Sequence, residues 1–220
     1  SYHTFSFSGY YNPERINFGV LRVLNDDTVA PGMGFGKHPH DNLEIISIPL
    51  EGALLHKDSM GNEQVIRKGD VQVMSAGTGI FHSEHNYSNK EAVKFLQIWV
   101  IPNKRNVSPR YDQITLNEED TSNQFYQVLS PNANDSGVWI HQDAWFHLGR
   151  FDKEMTLIYA LKKQNNGIYV FMIEGNAIVG GQQISRRSGM TIIETDQLEF
   201  KISEKAEILI MEVPLQINQQ

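Results

Sequence analysis

Ile48-Pro49-Leu50-Glu51-Gly52, a polar turn, and then Arg67-Lys68-Gly69-Asp70-Val71 have a counterpart later in the chain: Phe171-Met172-Ile173-Glu174-Gly175, a turn, and Arg187-Ser188-Gly189-Met190-Thr191. The first series runs on to Ile98-Trp99-Val100-Ile101-Pro102 and the second to Ile210-Met211-Glu212-Val213-Pro214. Each copy reads as a strand, a Glu-Gly turn, a hairpin, a basic or polar residue before Gly, a strand, and a terminal strand closed by Pro. Glu-Gly turns are common singly, but four landmarks in one order point to two copies of a single unit.

Working outward, strand signals dominate. Short runs rich in Val, Ile, Phe and Tyr occupy 18–24, 44–50, 71–74, 92–101, 139–141, 156–161, 167–173, 189–193 and 206–213. Gly, Asn, Asp and Pro bound most of them. No amphipathic pattern sustains a helix beyond about three turns. Short strands broken by turns, in two copies, predict an all-β protein with two antiparallel barrels. The polar, acidic stretch 117–124 reads as the linker, with one barrel in residues 1–116 and the other in 125–220.

A chain of 220 residues, 40% hydrophobic and 20% charged, can bury such cores. The net charge of −7 repels phosphate backbones, so direct nucleic-acid binding is not expected. No apolar run approaches ~18 residues, so no membrane-spanning helix is expected. The aromatic, polar start of the chain does not read as a signal peptide, and the expected location is cytoplasmic. With no cysteine, a metal site here must use imidazole and carboxylate.

Five of the eight histidines, His38, His40, His56, His82 and His85, fall between residues 38 and 85. His38 and His40 are two apart, as are His82 and Glu84, and strand residues i and i+2 project from one face. Two such strands side by side inside a barrel supply three imidazoles and one carboxylate. That set suits a borderline divalent metal with positions left open for substrate or dioxygen. Gly32, Gly34 and Gly36 precede the first pair, and Ser75-Ala76-Gly77-Thr78-Gly79 precedes the second. A lone buried histidine is more often a core residue than a ligand, but two pairs beside Gly-rich turns are poorly explained that way. Glu44 also shares parity with His40, so spacing alone does not choose between Glu44 and Glu84. His56, in a polar hairpin, and His3, His141 and His147, without a partner at strand spacing, read as structural. His85 should face away from Glu84, and Gln97 and Trp99 share a strand face. The second half has no histidine pair, so its barrel is expected to be metal-free.

Gly32, five residues, His38-Pro39-His40, three residues and Glu44 resemble the first cupin motif; Gly69, five residues, Ser75, Gly77, His82 and Asn86 resemble the second. Both depart from the general pattern: there is an extra residue before Gly52, Ser75 stands for the usual proline, and two extra residues precede His82. These departures resemble the pirin family. So do His3-Thr4-Phe5-Ser6-Phe7, Leu21-Arg22-Val23-Leu24-Asn25-Asp26-Asp27, Gly34-Phe35-Gly36-Lys37, Met74-Ser75-Ala76-Gly77-Thr78-Gly79-Ile80 and His82-Ser83-Glu84. Bacterial pirin-like quercetin 2,3-dioxygenases are the nearest resemblance.

The resemblance implies a bicupin, two double-stranded β-helix (jelly-roll) barrels in one chain. It implies one divalent metal on His38, His40, His82 and Glu84; Glu44 then stands either behind them, bonding a ligand imidazole, or at the barrel mouth with no metal role. Iron(II) is favoured, while Mn, Co, Ni, Cu and Zn also suit the donors. It further implies cleavage of a flavonol such as quercetin with O2 and release of carbon monoxide, Glu84 being the catalytic carboxylate that takes the substrate's proton. The alternative, also carried by the resemblance, is a non-enzymatic metal- or redox-sensing protein that binds a transcription regulator. The partners expected are thus an aromatic small molecule and O2, or a protein. A monomer is expected, because each barrel can cover the other's open face.

Overall fold

The computed structural model describes residues 1–218. Among the described residues nearly every regular element is a strand, and the single short helix, Glu118–Thr121, lies between the two halves. Among the described residues no helix is long and apolar enough to cross a membrane.

Each half pairs a six-stranded sheet with a four-stranded one. In the first half the large sheet runs Tyr2–His3, Leu21–Val29, Val93–Val100, Glu44–Glu51, Asp70–Ser75, Arg110–Thr115, all antiparallel. The small sheet runs Gly34–His40, Ile80–Asn86, Ala53–Asp58, Glu63–Arg67. The second half repeats this order. Its large sheet holds Trp145–Phe151, Ala206–Pro214, Asn166–Glu174 and Gly189–Ile192 in the same succession, and its small sheet holds Met155–Ala160, Gln197–Ile202, Asn176–Val179 and Gln182–Ser185. The duplicated landmarks thus fall on equivalent strands of two cupin-type domains.

Strand alternation decides what each half buries. Along Glu44–Glu51, Ile46, Ile48 and Leu50 face one way and join a core built from both halves, with Leu96 and Ile98 on one side and Phe146, Tyr169, Phe171 and Met211 on the other. Ile45 and Ser47 face the opposite way, into the first barrel. The two large sheets therefore pack face to face, and the seam between them is the largest apolar core. Polar ties cross the seam as well. The Arg110 guanidinium donates to the Trp139 carbonyl (2.6 Å) and lies 3.9 Å from the Trp139 ring centre. Gln142 donates to the Ile101 carbonyl (2.7 Å).

The interiors of the two barrels differ. In the second, Leu198, Phe200 and Ile202 on one strand of the small sheet turn inward with Tyr159, Ile168, Val170 and Ile210. The topologically equivalent strand of the first half, Ile80–Asn86, turns His82 and Glu84 inward instead.

Because one core serves both halves, truncation at the seam should destabilise the whole chain. Met211→Ala is expected to cost about 2–5 kcal/mol and to shift one cooperative urea transition, followed by far-UV circular dichroism. Two separated transitions would show that the halves fold independently.

Candidate metal centre

The site rests on the antiparallel pairing of Gly34–His40 with Ile80–Asn86. His38 lies opposite His82 and His40 opposite Ile80, while an irregularity between Phe35 and His38 re-aims the strand. Gly34 allows this pairing, since a Cβ there would lie 2.5 Å from the Glu84 carbonyl oxygen. Gly77, at φ +49° in the turn before His82, has the same constraint: a Cβ would sit 2.0 Å from the Val107 carbonyl oxygen. Pro39 pairs with Phe81 and faces solvent, so its missing N–H costs nothing on this edge strand.

Three imidazoles converge. The ring centres of His38 and His82 are 4.4 Å apart, and those of His40 lie 4.9 Å from each. The Gly36 carbonyl, 2.8 Å from His38 Nδ1, fixes that nitrogen as the donor and turns Nε2 inward to face His82 Nε2 at 2.9 Å. Buried His40 Nε2 and His82 Nδ1 have no hydrogen-bond partner among the described residues. Burial, then the neighbouring histidines, push the His82 imidazole down to about 2, and burial followed by His38 brings His40 down to about 4. Those two rings are neutral at physiological pH, so their lone pairs are free for a cation. The chemistry of this donor set fits a divalent metal ion.

Glu84 is buried on the same strand face as His82. Its Oε1 accepts from the Ser47 hydroxyl (3.1 Å) and the Gln97 amide (3.3 Å). Burial raises its carboxyl to about 7, with the Ser47 hydrogen bond opposing and Asp27 reinforcing the rise. The four residues named from the sequence do not fall into one tight group. His38, His40 and His82 bring ligand atoms within 4.8 Å of one another, and Glu84 groups with His82 and His56 in a second triad sharing His82.

His56 is the residue that the sequence reading placed outside the chemistry. It does lie in a hairpin, formed by Ala53–Asp58 and Glu63–Arg67, but is fully buried there, directly opposite Glu84 in the sheet register. Its Nε2 lies 3.2 Å from Asp58 Oδ2, its ring lies 5.4 Å from His82, and Tyr111 packs 4.9 Å away. The signal was its alternation with Leu54 and Asp58, but only cross-strand register shows what it faces. Gln97 and Trp99 do reach the site, Gln97 through Glu84 and Trp99 by an edge contact with His40 at 4.9 Å. His85 is exposed. His147 is buried in the second barrel against Tyr159, and His3 bonds Asn25 (2.9 Å).

Glu44 requires a correction. It does not bond an imidazole: it accepts from the Ser75 hydroxyl (2.7 Å) and takes a backbone hydrogen bond from His141. The chain leaves one sheet after His40, turns through Asn42 at φ +46°, and enters the other sheet at Glu44, so parity does not carry across. Glu44 consequently faces the seam, where burial lifts its carboxyl to about 7 against the pull of Ser75, His141 and Arg110.

Comparison with known proteins agrees with this architecture. A family profile described as Pirin matches residues 1–100, and one described as Quercetinase C-terminal cupin domain matches residues 127–213. The chain is 36% identical over 214 residues to a quercetin 2,3-dioxygenase of Escherichia coli (strain K12), covering 97% of this chain and 91% of that protein. It is also 36% identical over 211 residues to a pirin-like protein of Caulobacter vibrioides, covering 96% and 90%. The crystal structure of the Escherichia coli bacterial pirin YhhW in complex with nickel(II) superposes with a TM-score of 0.91 at 35% identity, covering 97% of this chain and 90% of that one. The duplicated cupin fold, the histidine triad of the first barrel and these full-length likenesses together establish that the chain belongs to the pirin family.

Proposed function

We propose that this protein is a metal-dependent dioxygenase that cleaves a flavonol such as quercetin with O2 and releases carbon monoxide. His38, His40, His82 and Glu84 hold its single divalent ion, iron(II) being the favoured one. The observation that carries this reading is the convergence of three imidazoles beside a buried carboxyl whose proton is held up to about 7. The relatives named quercetin 2,3-dioxygenase and the nickel-bound YhhW structure support it.

A bound divalent ion would supply Lewis acidity, lowering the pKa of a hydroxyl brought beside it. The protein supplies the rest. The Gly36 carbonyl holds the His38 ring in register. Ser47 and Gln97 hold Oε1 of Glu84, and the group shared with His56 gives that carboxyl a place beside the triad. A carboxylate whose charge is fully neutralised is a poor base, so Glu84 must be able to loosen toward His56 while it takes the substrate's 3-hydroxyl proton. Its raised pKa matches the task, since a general base works best near the operating pH. Phe35 packs edge-on to Phe95, and Trp99 packs on His40; these rings offer an aromatic substrate an apolar wall.

Oxygen uptake with carbon monoxide release on addition of quercetin to the metal-reconstituted chain tests this reading. Glu84→Gln with metal retained should lower the rate by about 10²–10⁴-fold; an unchanged rate would remove Glu84 as the base. Stoichiometric metal binding with no uptake at all would move the protein to the metal-sensing reading.

The raised carboxyl also sets a pH dependence. At pH 6, Glu84 is largely protonated and must lose its proton to bind a cation, whereas at pH 8.5 it is already ionised. Calorimetry in buffers of different ionisation enthalpy should therefore show wild type releasing about one proton more than Glu84→Gln on binding nickel(II) at pH 6. The two should release equal numbers at pH 8.5. Equal release at both pH values would mean that Glu84 does not titrate with the metal.

A further inference from the structure

Away from the histidines, a cavity of about 710 Å³ opens along the seam, walled by both halves of the chain. That volume lies in the range that takes small organic ligands. Its charged lining is Arg15, Lys94, Arg186 and Arg187 against Asp26. Lys94 pairs with Glu51 (2.9 Å) and Arg186 with Glu174 (2.6 Å), while Arg187 spans Asp26 (2.9 Å) and Glu174 (3.2 Å). Four cations against three carboxylates leave one positive charge over. It falls on Arg15, which is exposed and makes no ion pair among the described residues.

In the turn between Gln182–Ser185 and Gly189–Ile192, a long side chain takes a position that suits glycine. Arg187 sits at φ +60°, a left-handed position that favours glycine. The matching turn of the first half, Arg67-Lys68-Gly69, uses Gly69 at φ +96°. Keeping arginine there costs strain, and such strain concentrates at sites where the side chain has work. The Arg187 guanidinium locks the two halves together through Asp26, and its buried Nε–H has no acceptor among the described residues. Beside it, the Tyr169 hydroxyl fills the space that any Cβ on Gly189 would take, at 2.0 Å. That phenol lies within the field of Arg15. Tyr2 lines the rim, its ring 81% exposed.

We propose that this seam cavity binds a small aromatic carboxylate. Its carboxylate sits on the unpaired guanidinium of Arg15 with Arg187 behind, and its ring lies under Tyr2 against the edge of Tyr169, whose own ring is buried beside Phe5 and Phe18. Arginine takes a planar carboxylate with paired N–H donors, and tyrosine rings hold a flat apolar body. The site is independent of the metal chemistry proposed above.

Calorimetric titration of the metal-loaded full chain with 2-naphthoate tests this, with 2-naphthol and inorganic phosphate as comparison probes. Saturable binding of one 2-naphthoate is expected, weakened about tenfold or more in Arg15→Gln and unchanged in His38→Ala. Arg15 is exposed, and matched thermal melts confirm that its variant folds. No saturation by about 10 mM would overturn the proposal, as would equal affinity in Arg15→Gln. Loss in His38→Ala would place the carboxylate at the histidine centre instead. Equally tight binding of 2-naphthol, or of phosphate, would show that the site does not recognise an aromatic carboxylate.

Discussion

Three imidazole rings pressed together, His82 buried and His38 and His40 half-buried, with no counter-charge among them, are the constraint on which the site depends. Burial and mutual repulsion hold His40 and His82 neutral far below the usual histidine range. Neutral rings leave lone pairs, and at His40 Nε2 and His82 Nδ1 no donor among the described residues meets them. An unpaired buried polar atom costs about 1–3 kcal/mol. A fold that keeps several together is arranged around something that would satisfy them, and three inward nitrogens flanked by a carboxyl suit a cation better than any network the chain could build.

The second barrel makes the comparison internal to one molecule. It has the same strand order and the same Glu-Gly turn, yet Leu198, Phe200 and Ile202 occupy the strand that carries His82 and Glu84 in the first half. Apolar on that strand, with its buried polar groups His147 and Glu212 set beside Tyr159, it contributes one face of the seam. The first barrel gives up that packing at its centre to hold polar groups. The shared core, from Ile46 and Leu96 to Phe171 and Met211, anchors the half that carries the histidine triad to the other.

Much of this is legible in the sequence, because strand alternation is a local property. His38 with His40, and His82 with Glu84, sit two apart, and the glycines before them allow the strands to approach. What was not legible depended on leaving a strand. Glu44 shares parity with His40 on paper, but the turn at Asn42 passes the chain to another sheet and aims Glu44 at Ser75. His56 carries no local mark of importance. It meets Glu84 only because Ala53–Asp58 pairs with Ile80–Asn86 in one particular register. Ser47, set among isoleucines, likewise acquires its role only when Glu84 arrives opposite it.

The central claim is that the triad of His38, His40 and His82 holds the ion, with Glu84 drawn to it, rather than the neighbouring group of His56, His82 and Glu84. Anaerobic titration of His38→Ala and His56→Ala with nickel(II) separates the two directly. The account predicts that His38→Ala loses affinity by about a hundredfold or more, while His56→Ala, which removes only a supporting ring, stays within about tenfold of wild type. Full affinity in His38→Ala with loss in His56→Ala would contradict it and move the ion to the deeper triad.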